Sequence, residues 1–203
     1  MLLTSGVTVV GGYISGYVAS PLATSTLASA ATTDFGPINA YFWRSLYKVI
    51  YTAAELNSAG LSGSTVLTGL MLYVTNVPSP VTPSVTIGMT NTASAVGSDI
   101  TSGWTTVFSG AYPETPTLNS VTNPVYGLKF RFTTTFTWDG TNNLGIGFAE
   151  TSRGSFTSTG AVLTATASGS ARGIRSDAAG SYLLTDAASS TQTGRAVIFL
   201  TRT

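Results

Sequence analysis

Short runs of alternating hydrophobic and polar residues recur along this chain, with glycine, proline and other turn-forming residues between them. The segment Tyr41–Tyr51 (YFWRSLYKVIY) is dense in aromatic and β-branched residues, which favours a strand. In Leu128–Phe132 (LKFRF), Lys129 and Arg131 alternate with apolar residues, so we expect a strand with one solvated face. On the same grounds we expect further strands near Val7–Val18, Thr65–Thr75, Ser84–Thr90, Trp104–Phe108, Tyr126–Phe132, Leu144–Glu150, Ala161–Ala167 and Arg195–Arg202.

One short helix is predicted after the Tyr41–Tyr51 strand, over about Ala53–Ala59. Thr52 can serve as the N-cap, and Glu55 at the third helical position completes a capping box. Gly60 stands where a left-handed residue commonly ends a helix. We expect this helix to cover one end of a β-sandwich.

A succession of strands without alternating helices is typical of an all-β protein, here an antiparallel β-sandwich. At 203 residues the chain is long enough for a single large β domain, which we place at residues 41–203. Residues 1–40 are mostly small and polar, and we interpret them as an N-terminal arm or peripheral strand. Asp139-Gly140 lies between apolar segments and predicts a tight turn between paired strands.

The composition is unusually poor in charge. Charged residues make up 8% of the chain, against roughly a quarter in an average soluble protein, and Thr, Ser, Gly and Ala replace them. A neutral, hydroxyl-rich surface suits permanent contacts, because fewer ions are desolvated when the contact forms. The alternative is a lineage that simply favours Thr and Ser. With a net charge of +1 and no basic run, nucleic-acid binding is not expected.

The N-terminal segment MLLTSGVTVVGGYISGYVAS is apolar but has no Lys or Arg, and glycines interrupt it. We therefore expect neither a secretory signal nor a membrane span, and no membrane partner. On this interpretation the protein is made in the cytoplasm and leaves the cell by another route.

The residue types that most catalytic sites need are missing. The chain has no histidine and no cysteine, which excludes Ser-His-Asp and Cys-His arrangements and sites built on His or Cys ligands. Gly145 and Gly147 alternate within a strand, which indicates packing rather than phosphate binding. A hydrolase would need two convergent carboxylates, for example a pair such as Glu114 and Glu150. We expect a protein that is not an enzyme, with no catalytic residues and no cofactor.

A weak calcium site is the one metal hypothesis. The segment DGTNN offers the Asp139 carboxylate and the Asn142 amide as oxygen ligands, which calcium prefers. The alternative is that both side chains hydrogen-bond their own backbone and shape the turn. A single carboxylate makes a poor calcium site, so we favour this alternative.

Two further regions are candidates for contact with a partner or ligand. The loop Ala111–Pro124 is rich in proline and almost uncharged, and it carries Tyr112, Pro113 and Glu114. It can equally be a long crossover between strands. Aromatic rings that could stack on a sugar, or instead fill the core, are Trp104, Tyr112, Tyr126 and Trp138.

The polar segment Gly154–Gly180 and the residue before it hold three arginines, Arg153, Arg172 and Arg175. They could pair with acidic groups across an interface. The alternative is that this segment is a solvated strand edge or loop.

Five segments between Tyr47 and about Arg153 follow one another in a characteristic order. They are IYTAAELNSAG (Ile50–Gly60), LTGLMLYV (Leu67–Val74), VTIGMTNTAS (Val85–Ser94), WTTVFSG (Trp104–Gly110) and FTWDGTNNLGIGF (Phe136–Phe148). The Tyr-Thr-Ala-x-Glu-Leu and aromatic-Asp-Gly-x-x-Asn-Leu elements are the most distinctive. In this order they resemble a jelly-roll module of bacterial adhesin-type surface proteins and of phage structural proteins.

The resemblance implies a non-catalytic, jelly-roll-like sandwich that serves adhesion, carbohydrate contact or architecture. The sequence departs from the secreted members in lacking a signal peptide and a sorting domain, which favours a virion protein. We therefore expect a subunit that decorates or cements a capsid or belongs to a tail. Its partners would be copies of itself, with a trimer expected, and a capsid or tail protein. The alternative is an extracellular carbohydrate-binding or adhesin module that recognises a cell surface.

Overall fold

The protein is an all-β molecule with one short helix. The computed structural model describes residues 13–14, 17–19, 37, 42–74, 84–111, 117–118, 126–150, 164–196 and 198–202. The helix α1 spans Ala53–Ser58. The strands are β1 (Tyr13–Ile14), β2 (Tyr17–Ala19), β3 (Arg44–Tyr51), β4 (Thr65–Val74), β5 (Ser84–Thr92), β6 (Thr105–Ala111), β7 (Thr117–Leu118), β8 (Tyr126–Trp138), β9 (Asn143–Glu150), β10 (Thr164–Ser176), β11 (Ser190–Ala196) and β12 (Ile198–Arg202).

The strands form two six-stranded antiparallel sheets. The first sheet has the order β1-β2-β12-β4-β8-β7, and the second has the order β11-β10-β3-β9-β5-β6. The connections β3 to β4, β4 to β5 and β8 to β9 each pass from one sheet to the other. These crossings make the sandwich jelly-roll-like, which confirms the predicted fold class.

The core lies between the inner faces of the two sheets. In β9, Leu144, Ile146 and Phe148 are fully buried and point inward. In β8, alternate residues of Leu128–Phe132 are buried, while Lys129 and Arg131 are exposed, as the period-two pattern predicts. Burial of these apolar side chains is the main source of stability.

The helix begins and ends as predicted. Thr52 Oγ1 accepts a hydrogen bond from the Glu55 amide, and the Glu55 carboxylate accepts one from the Thr52 amide, so the capping box is complete. At the other end, Gly60 has a φ of 92°, and the Leu61 amide donates to the Leu56 carbonyl. This is a Schellman ending.

The Asp139–Gly140 turn does not join paired strands, so that prediction is wrong. β8 pairs with β4 in the first sheet, whereas β9 pairs with β3 and β5 in the second. The turn therefore carries the chain from one sheet to the other. An Asp-Gly pair between apolar runs specifies a tight reversal, but which sheet each strand joins depends on where its apolar face is buried.

The segment Thr164–Ser176 also differs from one prediction. A short strand was expected near Ala161–Ala167, and a solvated edge or loop was the alternative for the surrounding segment. Instead, β10 runs to Ser176 and lies inside the second sheet, between β11 and β3. A polar sequence can occupy an interior strand because its neighbours satisfy the backbone hydrogen bonds on both sides.

A second layer of side chains covers the outer face of the second sheet. It rests on glycines: a Cβ at Gly145 would lie 2.7 Å from Ile100 Cδ1, and one at Gly147 would lie 2.8 Å from Leu184 Cδ2 and 3.2 Å from Trp104. The two glycines therefore serve packing, as predicted. Loop residues of 93–104 and 177–189 close over the sheet in this way.

Within the described part of the chain, α1 is the single helix, and no helix is long and apolar enough to cross a bilayer. Of the predicted N-terminal arm, the structure describes β1, β2 and residue 37, and the two strands lie at one side of the first sheet. The prediction of a single strand over Val7–Val18 is wrong in its described part, because β1 and β2 pair antiparallel as a hairpin with Tyr13 opposite Val18. The rest of that segment lies outside the described residues.

We predict that Gly140→Ala destabilises the protein far more than Gly63→Ala. Both glycines have positive φ, 84° and 60°, so each alanine is strained by about 1–2 kcal/mol. A Cβ at Gly140 would also lie 2.6–2.8 Å from the Gly63 backbone, whereas a Cβ at Gly63 meets nothing within 4 Å. We expect the extra contact to cost Gly140→Ala about 1–3 kcal/mol more in urea unfolding. Equal losses would contradict the close approach of the two turns.

Candidate functional site

The strands that lead to two groups of predicted contact residues, β6 and β9, lie on either side of β5 and finish at the same end of the second sheet. β6 ends at Ala111, opposite Ser84, and β9 ends at Glu150, opposite Val85. Ala111 and Glu150 therefore lie at the same end of the sheet but are separated by β5. The predicted contact residues that follow them lie outside the described residues: Tyr112, Pro113, Glu114 and Arg153.

The other two predicted contact residues, Arg172 and Arg175, lie on β10 and contact their own chain. Arg172 Nε donates a 2.7 Å hydrogen bond to the Gly97 carbonyl. The Arg175 guanidinium carbon lies 4.1 Å from the centre of the Phe42 ring. Both arginines thus stabilise the fold, and their contact with a partner stays a prediction.

The Asp139 carboxylate is engaged by its own turn. One oxygen accepts hydrogen bonds from the Thr141 and Asn142 amides at 2.9 and 2.8 Å, and the other accepts one from Asn142 Nδ2 at 2.7 Å. The Asn142 side chain, followed by these two amides, lowers the pKa of Asp139 to about 2. The geometry is that of the alternative to calcium binding, in which Asp139 and Asn142 shape the turn.

The carboxylate pair considered for a hydrolase cannot be placed as a pair. Glu150 is fully buried and accepts a hydrogen bond from Ser45 Oγ, while Glu114 lies outside the described residues. Among the side chains that the structure describes, no three or more Asp or Glu residues gather where they could hold a metal.

Two of the tryptophans that could stack on a sugar have described side chains. Trp138 is completely buried, and its indole nitrogen donates to the Asn142 carbonyl at 2.7 Å, so it belongs to the core. Trp104 is half-buried, and its ring lies against Gly88 and Gly147. The side chains of Tyr112 and Tyr126 lie outside the described residues.

A buried lysine joins the two loops that cover the second sheet. Lys48 is 2% exposed, and its Nζ donates to Asp99 Oδ1 at 2.9 Å and to the carbonyls of Ile100 and Asp186 at 2.7 and 2.6 Å. The other Asp99 oxygen accepts from the Ala188 amide. The three donors of the ammonium group are therefore satisfied, which a buried charge requires.

A connected group of polar contacts lies at the end of β11, just before β12; we call Tyr47, Tyr51, Glu55, Arg195 and Ala196 the corner cluster. The Ala196 amide donates to Tyr47 Oη at 2.9 Å, and Tyr51 Oη donates to the Ala196 carbonyl at 2.6 Å. Arg195 Nη1 donates to Glu55 Oε2 at 3.1 Å and to the Ile50 carbonyl at 3.0 Å. One short stretch is thus attached to β3 and to the helix.

The ionisation of two members reflects this environment. Burial opposes ionisation of Glu55, but hydrogen bonds from Arg195 and Thr52 outweigh it, so the pKa of Glu55 is lowered. Burial raises the pKa of the Tyr47 hydroxyl well above its usual value. Both groups therefore keep, at neutral pH, the protonation state that their hydrogen bonds need.

Sequence reasoning missed Lys48 and Arg195. It assigned Glu55 to the helix cap alone, whereas the same carboxylate also pairs with Arg195. The sequence signal that could have identified them was a single charged residue in an otherwise apolar strand, Lys48 in YKVIY and Arg195 in RAVIFL. Such a charge must find a partner if it is buried, but the partners are distant in sequence.

No protein-family model, curated protein or solved structure matches this chain. The functional interpretation accordingly depends on the contacts and surfaces of the molecule itself.

We predict that Tyr47→Phe destabilises the fold by about 1–3 kcal/mol, because it removes the acceptor for the buried Ala196 amide. Tyr182→Phe is the matched control. Its ring lies beside the Arg44 guanidinium at 4.6 Å, a contact that phenylalanine keeps, so we expect a change within about 0.5 kcal/mol. Urea unfolding followed by tryptophan fluorescence measures both. Similar losses in the two variants would show that the hydroxyl does not hold the corner.

We predict that Glu55→Gln reduces the loss of stability in acid. Because the pKa of Glu55 is lowered in the folded protein, its ionised form stabilises the fold above its usual pKa, and this stabilisation is lost as the pH falls through the folded value. Glutamine cannot titrate, so the variant starts less stable but falls less between pH 6 and pH 3. Urea midpoints across this range measure the difference. Parallel curves would contradict the assignment.

Proposed function

We propose that this protein is a non-catalytic structural subunit of a virion-type assembly, a capsid decoration or cement protein or a tail protein. It acts through contacts between subunits and with a capsid or tail protein, and its location is the virion. The observation that carries the proposal is that several charged side chains make contacts within the chain, while exposed positions of two strands carry hydroxyl groups.

Several of the charged side chains that the structure describes hold the fold together. Arg195 pairs with Glu55, and Lys48 pairs with Asp99. Arg172 and Arg202 each donate to a loop carbonyl, those of Gly97 and Gly60. Charges engaged in this way are no longer available to keep a surface strongly hydrated.

The solvent-facing positions of two strands carry hydroxyl groups instead. On β6, Thr105, Thr106 and Ser109 are exposed; on β8, the exposed positions include Thr133–Thr135 and Thr137, beside Lys129 and Arg131. The hydroxyl-bearing positions of these strands can be buried against a neighbour at little electrostatic cost. Such contacts suit subunits that associate permanently.

We predict that the purified chain forms a discrete oligomer, a trimer or a larger ring, in light scattering coupled to gel filtration. The mass should not change in 1 M salt, where charges are screened within about 3 Å, because the proposed contacts are largely uncharged. Dissociation in salt would contradict contacts of this kind. A monomer at every concentration would count against the proposal, and screening of glycans would then test the carbohydrate-binding alternative.

A further inference from the structure

The N-terminal strands β1 and β2 form a hairpin, which we call the arm hairpin (Tyr13–Ala19). Within the hairpin, Tyr13 is opposite Val18 and Ile14 is opposite Tyr17. Its pairing with the rest of the described sheet is confined to β12, through three opposed residue pairs. An isolated two-stranded hairpin is marginal in water, so the arm hairpin depends on β12 for its order.

The edge of β12 that faces away from β4 would have unpaired backbone groups if the arm hairpin did not pair with it. Ile198, Phe199 and Leu200 are buried, and the strand pairs with β4 on its other side. An uncovered edge with this apolar, uncharged sequence would pair with any available strand. Any arm hairpin of this sequence, from the same chain or from another copy, can cover it with the same contacts.

The tether between the arm hairpin and the sandwich is long enough to reach a neighbour. Seventeen residues, 20–36, separate Ala19 from Pro37, which is buried. Fully extended, they span at most about 56 Å, taking about 3.3 Å per residue. A folded chain of this length has a radius of gyration of about 17 Å. The tether can therefore cross to the β12 edge of an adjacent copy.

We propose that in the assembled state the arm hairpin of one copy pairs with the β12 edge of the next copy. This inference rests on the proposed function, since it names the segment and the edge through which subunits join. The contacts are those seen within one chain, so exchange costs little and gains a link between subunits. Repeated around a ring, it closes the assembly with no open β12 edge.

The absence of cysteine from the chain makes a clean test available. Tyr17 is opposite Thr201, and opposed residues of antiparallel strands lie about 4.5–5.5 Å apart at Cα, within the range of a disulfide. Two single variants, Tyr17→Cys and Thr201→Cys, are expressed together in one cell and oxidised. The control pair is Tyr17→Cys with Thr106→Cys, an exposed position on the other sheet. Non-reducing gels and mass spectrometry then identify the cross-linked species.

A disulfide between Tyr17→Cys of one copy and Thr201→Cys of another, absent from the control pair, is the expected result. The double variant Tyr17→Cys/Thr201→Cys should then give a covalent ladder. If it gives only an intrachain disulfide, and the mixed pair gives none, exchange is overturned. Cross-linking in neither arrangement would overturn the pairing itself. Light scattering on the wild-type chain separates these results from failure of the proposed function, because an oligomer without exchange leaves the architectural role standing.

Discussion

The fold depends on how one short stretch, Arg195 and Ala196, is held where the chain passes from the second sheet into the first. Continuous passage between sheets leaves backbone groups at the corner without regular ladder partners. The hydroxyls of Tyr47 and Tyr51 bind the Ala196 amide and carbonyl, and Arg195 connects the corner to Glu55. Just after this corner, β12 lies between β2 and β4 in the first sheet, and the N-terminal hairpin pairs with it.

Glu55 shows how much of the structure converges on a single side chain. It closes the capping box of α1 and accepts the hydrogen bonds of Arg195. The helix is therefore attached to the last strands as well as to β3, which it follows directly. A six-residue helix is too short to be stable alone, so its order depends on these contacts and on burial of Leu56.

Lys48 is a second buried cation. Its hydrogen bonds attach the outer layer to the second sheet, as those of Arg195 attach the corner to the helix. Lys48 draws residues of two loops onto the glycine-lined face of the second sheet, where Trp104 and Leu184 pack. Lys48, Arg195 and Glu150 are thus buried within the fold, while exposed positions of β6 and β8 carry hydroxyl groups beside Lys129 and Arg131. This arrangement of polar groups is the observation that supports the proposal of contacts between subunits.

Much of the local structure was determined by the sequence alone. The caps of α1 depend on residues three to five positions apart, and the alternation in Leu128–Phe132 reports directly which face is buried. The absence of His and Cys limited the possible chemistry just as directly. These features are predictable because each depends on neighbours along the chain. The two-sheet class followed from the sum of such signals.

The tertiary structure alone decided which sheet each strand joins and which charges meet. The Asp139–Gly140 turn links strands of opposite sheets, a choice made by burial of apolar faces far from the turn. Arg195 meets Glu55 across 140 positions of sequence, and Lys48 meets Asp99 across 51. No local pattern encodes such pairs. They form because a buried charged side chain needs an opposite charge or a hydrogen-bond acceptor, and the tertiary structure decides which of these lies nearby.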